Sequence, residues 1–178
     1  MSTEQQSIAQ VVSDHLRDIP DFPEPGVAFK DFTPLLSDGA ALAAVVRDIA
    51  DRYRGRVDHV VGIEARGFIL GAAVAYELGV GFVPVRKAGK LPGETLGVEY
   101  DLEYGSAHIE VHADAFVAGA HVLVIDDVLA TGGTAEATCT LLERAGAEVV
   151  AFEAVIELGF LEGRAKLAGR EVHTILTV

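Results

Sequence analysis

The run Asp126-Asp127-Val128-Leu129-Ala130-Thr131-Gly132-Gly133-Thr134 sets two adjacent carboxylates directly ahead of a loop suited to a phosphate. Glycines let a backbone approach an anion closely, and the free N–H groups at the start of a helix attract it. Thr131 and Thr134 add hydroxyl donors. No lysine follows the glycines, so this is not a Walker A loop, and the spacing is not the dinucleotide G-x-G-x-x-G. Carboxylates repel phosphate, so Asp126 and Asp127 must serve another part of the same ligand. A divalent cation is one candidate; the vicinal hydroxyls of a sugar, which donate well to carboxylates, are the other. A ribose 5-phosphate satisfies both halves of the run, with hydroxyls on the acids and the phosphate on Ala130 to Thr134.

Cations concentrate in two other places. Arg66, in "EARGF", follows the apolar run "DHVVGI" and sits where a strand gives way to a helix, a position from which a guanidinium grips a diphosphate bidentately. "RKAGK" gathers Arg86, Lys87 and Lys90 in a chain that has 14 Lys and Arg in all. Cations on such a segment suit the charge that builds on a departing diphosphate. Glu94, Glu99, Asp101 and Glu103 follow, any of which could carry a proton to or from a base. "HIEVH" puts His108, Glu110 and His112 on one face of a strand; polar residues on the outer face of a hairpin need no metal to explain them. Cys139 reads as a small core residue.

The elements that hold these residues follow from periodicity and punctuation. Thr3 to Ile19 reads as a helix, with Thr3 and Gln6 in capping-box spacing. "PDFPEPGVAF" reads as an ordered, non-helical segment rather than a strand. A helix is expected from an Asp38 N-cap to Tyr53, stopped at Gly55. Then "DHVVGI" (strand), "GFILGAAVAYELG" (helix), "GFVPV" (strand), "HVLVI" (strand ending at Ile125), "GGTAEATCTLLERAG" (helix) and "EVVAFEAVI" (strand) alternate. Short continuous apolar strands between helices indicate a parallel sheet covered on both faces. From Leu96 to Tyr104 the apolar residues recur with period two, and "AHIEV" repeats this after Gly105-Ser106, which predicts a β-hairpin projecting from the core as a lid. The fold class expected is α/β, an open mostly parallel sheet with helices on both faces plus a β-hairpin lid insertion.

The 178 residues suggest one domain. A net charge of -13 argues against nucleic acid and against an anionic membrane surface. One cysteine excludes an intrachain disulfide and a cysteine-based zinc site. The first residues lack the pattern of a signal peptide, and no apolar run is long enough to span a bilayer, so a cytoplasmic address is expected.

"VLVIDDVLATGGT" resembles the phosphoribosyl-diphosphate (PRPP) signature of the type I phosphoribosyltransferases. "DFPEPGVAFKDFTPLL", "GIEARGFILGAAVAYELGVGFVPVRKAGKLPGET" and "YDLEYGSAHIEVH" resemble successive segments of the adenine phosphoribosyltransferases, covering most of residues 20 to 155 in order. The resemblance implies the type I phosphoribosyltransferase fold over residues 1–178, with a purine-contacting segment within 1–36 and a hairpin lid at about 86–112. It implies that adenine and PRPP give AMP and pyrophosphate with Mg²⁺ carried mainly by PRPP, and that the chain forms a homodimer. It places the 5-phosphate and ribose on Asp126, Asp127, Ala130, Thr131, Gly132, Gly133 and Thr134. The pyrophosphate falls to Arg66, Lys87 and Lys90, and adenine to Ala28, Phe29 and Lys30. Glu103 becomes the acid/base, a choice that spacing alone leaves open. An arginine is often found where this chain has Lys30, which matters little if the contact is made by main chain. A strained non-proline peptide is implied within Glu64-Ala65-Arg66. Transfer to hypoxanthine or xanthine, a non-catalytic PRPP or nucleotide sensor, and a plain phosphate-binding module are the competing readings. The last leaves the acids and lid unexplained, and a sensor predicts a basic face that the composition lacks.

Overall fold

The computed structural model describes residues 6–22, 24–26, 28–101 and 105–178. Helix α1 (Ile8–Asp14) leads into a two-stranded antiparallel hairpin, β1 (Arg17–Pro20) with β2 (Ala28–Asp31), whose register pairs Ile19 with Phe29 and Asp18 with Lys30. The helix expected to reach Ile19 therefore ends early. Pro20 biases Ile19 towards extended backbone, and the strand starts where the helix would have continued. Ser7, not Thr3, caps α1 by accepting from the Gln10 N–H; Thr3 lies outside the described residues. The segment expected to avoid strand geometry contributes Ala28 and Phe29 to β2.

A short helix α2 (Thr33–Ser37) precedes α3 (Gly39–Tyr53). Asp38 caps α3 as expected, its carboxylate accepting from the Ala40 and Ala41 N–H groups. The βα alternation then appears as β3 (His59–Ile63), α4 (Arg66–Leu78), β4 (Gly81–Lys87), β5 (Thr95–Asp101), β6 (Ser106–His112), β7 (His121–Leu129), α5 (Gly133–Arg144), β8 (Glu148–Glu157) and β9 (Val172–Thr177). Two short 3-10 turns, Gly159–Leu161 and Gly163–Leu167, join β8 to β9.

Seven strands form one sheet in the order β5-β6-β4-β3-β7-β8-β9. From β4 to β9 every neighbour is parallel, while β6 is antiparallel to both β4 and β5. The hairpin expected to project from the core is thus an extension of its sheet: Arg86 and Lys87 of β4 pair with Glu110 and Ile109 of β6. Helices α1 to α4 cover one face around Ile49, Tyr53, Leu70 and Leu123. On the other face α5 packs Cys139, Leu141 and Leu142 against Val124, Phe152 and the hairpin's Ile109 and Val111. Burial of the Cys139 thiol raises its pKa to about 11, as suits a core residue.

The chain runs from β3 outwards to β4 and later, from β7, in the opposite sense to β8. The crevice between the carboxyl ends of β3 and β7 is therefore the switch point of the sheet, where open α/β folds bind ligands.

Candidate functional site

The loop from Ala130 to Thr134 fills one side of that crevice. Gly132 stands at the N-cap of α5 with φ 79°, a left-handed conformation that glycine adopts without strain. The loop is also tight against the 3-10 turn, because a Cβ on Gly132 would collide with the Gly163 carbonyl and one on Gly163 with the Ala130 carbonyl. Residues Asp126 and Val128 to Ala135 enclose a recess of about 70 Å³ at the start of α5. Free N–H groups and the positive helix end suit this recess to an anion.

Strand β7 continues to Leu129, four residues past the expected end, because β8 accompanies it: Asp126 pairs with Ala154 and Leu129 with Glu157. Strand β3 stops earlier, its pairing with β7 ending at Gly62 and Ile125. Asp126 and Asp127 are therefore strand residues on the step beyond the end of β3, and both line the crevice. Gly67 allows the start of α4 to close on this step, since a Cβ there would lie 2.6 Å from the Ile125 carbonyl oxygen. The Asp127 N–H donates to Asp126 Oδ1 at 2.9 Å. Arg66 Nε lies 2.9 Å from Asp127 Oδ2. That contact is an ion pair without hydrogen-bond alignment, and among the described residues Asp127 Oδ2 has no other partner although Asp127 is buried. Burial and the adjacent Asp127 charge hold the Asp126 carboxyl well above the usual carboxylate range.

On the opposite wall, the Glu64–Ala65 peptide is cis, the unusual peptide expected within Glu64-Ala65-Arg66. Glu64 does not pair with Arg66. It accepts from the Lys87 N–H at 2.9 Å and from Arg86 at 3.3 Å, which together lower its pKa. Arg86 also donates to the Lys90 carbonyl at 3.1 Å, so it braces two loops. Glu110, expected on an outer face, is buried. Its carboxylate accepts from the Lys90 and Leu91 N–H groups at 3.1 and 3.0 Å and from Thr95 Oγ1 at 3.4 Å. A carboxylate so satisfied is a structural anchor for the turn after β4.

Both walls meet β2. The Arg66 guanidinium lies 5.5 Å from the Phe29 ring centre and 5.5 Å from that of Phe32, within cation–π range of each. Lys30 Nζ is held by Asp18 Oδ1 at 2.7 Å. Asp31, at about pKa 2, fixes the strand through Arg17 and the Thr33 N–H and hydroxyl.

The resulting cavity measures about 540 Å³. It brings together Ala28, Phe29 and Lys30, Arg66, Lys87, Asp126 and Asp127, Ala130 and Thr134. Thr131, Gly132 and Gly133 line the adjoining recess. Lys90 is not part of either wall, and Glu103 lies outside the described residues. The motif reading missed Tyr100 and Leu158, which line the cavity, and Gly163 behind the phosphate loop. The period-two run from Leu96 to Tyr104 marks Tyr100 only as one of its apolar positions; Leu158 and Gly163 carry no local signal.

A family model described as phosphoribosyl transferase domain matches residues 34–174. The adenine phosphoribosyltransferase of Salinispora tropica is 60% identical over 172 residues, covering 96% of this chain and 91% of that protein. The chain belongs to the adenine phosphoribosyltransferase family. The solved adenine phosphoribosyltransferase of Rhodothermus marinus superposes with a TM-score of 0.90 at 50% identity, over 96% of this chain and 98% of that one. A more distant family member from Trypanosoma brucei, solved in complex with AMP, pyrophosphate and ribose-5-phosphate, gives a TM-score of 0.86 at 25% identity, over 99% of this chain and 82% of that one.

Proposed function

We infer that this chain transfers the 5-phosphoribosyl group from PRPP to adenine, releasing pyrophosphate and forming AMP, a purine-salvage reaction. The observation that carries the reading is the continuity of the cavity: an anion recess, paired acids, the cations Arg66 and Lys87, and an aromatic strand line adjoining spaces. The 5-phosphate sits on Ala130 to Thr134, with N–H groups and two threonine hydroxyls as donors. The ribose hydroxyls donate to Asp126 and to the unpartnered Asp127 Oδ2. That spacing selects a sugar phosphate over phosphate alone. The departing diphosphate is held by Arg66 and Lys87, with Lys90 from the next turn as a further cation. Adenine lies along Ala28, Phe29 and Lys30, read chiefly by main chain. Glu103 exchanges the proton of the base.

Among the described residues no group of three or more His, Cys, Asp and Glu side chains could hold a metal. The orphaned Asp127 oxygen and the adjacent Asp126 nevertheless fit a Mg²⁺ that takes most of its ligands from PRPP and water. Bound there, Mg²⁺ would neutralise diphosphate charge as it leaves.

Residues 1–178 act as one catalytic domain, with the hairpin at about 86–112 as its lid. We place the enzyme in the cytoplasm as a homodimer without nucleic-acid or membrane partners. No helix among the described residues is long and apolar enough to cross a membrane. Helix α4 offers Ile69 and Tyr76, both exposed, to a second copy.

Pyrophosphate release is the test: protein, PRPP and Mg²⁺ are mixed with adenine, hypoxanthine or xanthine in turn. Release with adenine is expected. Release confined to an oxopurine would replace adenine with that base, and no release with any would leave a sensor.

A further inference from the structure

Tyr100 lies near the end of β5, lines the cavity, and sets its hydroxyl 3.1 Å from Thr134 Oγ1 in the first turn of α5. The bond thus runs from the hairpin to the recess assigned to the 5-phosphate. Thr134 lines both spaces.

The donor count decides what this bond does. A hydroxyl has one hydrogen and two acceptor lone pairs, and either partner can donate while the recess holds no anion. A phosphate ester presents acceptor oxygens. With the 5-phosphate in place, the single Thr134 hydrogen goes to phosphate, and the bond to Tyr100 persists only with the phenol donating. A phenol, more acidic than an aliphatic alcohol, suits that role. The resulting chain, Tyr100 O–H to Thr134 O–H to phosphate, is polarised in one direction, so each bond strengthens the next.

We propose that Tyr100 is a positioning residue for the phosphoribosyl substrate, turning the Thr134 hydroxyl towards the 5-phosphate and tying the hairpin to the phosphate loop when that site fills. The proposal rests on the phosphoribosyl reading given above. By linkage, the phosphate favours the seated hairpin as much as the seated hairpin favours the phosphate. The effect belongs to ligands bearing a 5-phosphate and not to adenine.

The test uses Tyr100→Phe, which keeps the ring, with Thr134→Val and the double variant. Ribose 5-phosphate affinity is measured by calorimetry, KM for PRPP and for adenine by pyrophosphate release, and folding by thermal melting. Tyr100→Phe is expected to weaken ribose 5-phosphate roughly three- to tenfold, the worth of one hydrogen bond. KM for PRPP should rise by a similar factor, while KM for adenine and Tm stay put. In the Thr134→Val background, Tyr100→Phe should add nothing. Unchanged ribose 5-phosphate affinity, equal losses for both substrates, or additive losses in the double variant would each overturn the proposal. If the wild type releases no pyrophosphate from PRPP and adenine, the transferase reading fails. The ribose 5-phosphate comparison then decides the role of Tyr100 on its own.

Discussion

Replacing Asp126 by Asn should stabilise the protein while crippling it. Asp126 and Asp127 are adjacent on the step of β7 beyond β3, and Arg66 contacts Asp127 rather than Asp126. Burial strips water from the Asp126 carboxylate, the adjacent Asp127 charge adds repulsion, and Arg66 offsets part of this. A residual penalty of about 1–2 kcal/mol is consistent with the gains seen when an unfavourable charge is removed. Asparagine keeps the Oδ1 acceptor that receives the Asp127 N–H. The sign follows from the raised pKa of Asp126. Well below a pH of about 4 the carboxyl is protonated folded or unfolded, and the substitution changes little. As pH rises through the ordinary carboxylate range, the unfolded chain ionises first and the wild type loses stability. The loss is complete once Asp126 ionises in the folded protein. Asp126→Asn should therefore raise Tm by roughly 2–8 °C at pH 7.5 for a chain of this size, and by almost nothing at pH 3.5. Activity moves the other way. Losing a charged acceptor for a ribose hydroxyl costs about 1.5–3 kcal/mol, so kcat/KM for PRPP should fall roughly 10- to 100-fold. Melting curves across pH and steady-state pyrophosphate release check both halves. A lower Tm at pH 7.5, or a gain that persists undiminished to pH 3.5, would refute the charge argument.

Gly163→Ala should raise KM for PRPP at least about tenfold without altering adenine binding, because the added Cβ drives into the Ala130 carbonyl and distorts the phosphate loop from behind. Arg66→Ala should lower kcat/KM by roughly 10²- to 10³-fold, and Arg66→Lys should recover little, since an ammonium cannot span Phe29, Phe32 and Asp127 as the planar guanidinium does. Steady-state kinetics of both variants measure this. Away from the cleft, fully buried Glu153 accepts from Arg52, from the Tyr53 hydroxyl at 2.8 Å, and contacts His173 Nδ1 at 2.9 Å. Glu153→Ala strands these partners and should lower stability by about 3–5 kcal/mol, a fall in Tm of roughly 10 °C, with turnover at 25 °C retained.

Local chemistry made α3, α4, α5 and the glycine-rich loop legible. Asp38 before α3, Gly79 after α4 and the glycines before α5 act within one turn of the chain, so their signals sit beside their effects. Strand ends obey distant partners instead. "VLVI" marks the apolar part of β7, yet whether it continues through two acids depends on β8, some 28 residues later in the pairing of Asp126 with Ala154. The pairing of β1 with β2 was hidden in the same way, because prolines and a glycine between them read as punctuation while the register joins Arg17 to Asp31. Glu110 looked solvated because its partners are N–H groups of a turn that hydropathy does not record. Gly163 is the sharpest case: its role is the space it leaves for Ala130 and Gly132, more than thirty residues away.

The cleft also resolves how an acidic chain can receive a highly anionic substrate. Its carboxylates are neutralised in place: Glu64 by Arg86 and the Lys87 N–H, Glu110 by two backbone N–H groups, and Asp127 by Arg66. Arg86 is consumed in this way, so the cations left lining the cavity beside the acids are Lys87 and Arg66. Arg66 is shared, for a guanidinium turning towards diphosphate must slacken its hold on Asp127. The carboxylate so released is Asp127, whose Oδ2 is the very atom Arg66 contacts without hydrogen-bond alignment. A ribose hydroxyl or a cation arriving with the substrate would then replace Arg66 at that oxygen. Binding the diphosphate and binding the ribose are then two sides of one exchange at Arg66, which makes recognition of PRPP as a whole stronger than recognition of either part.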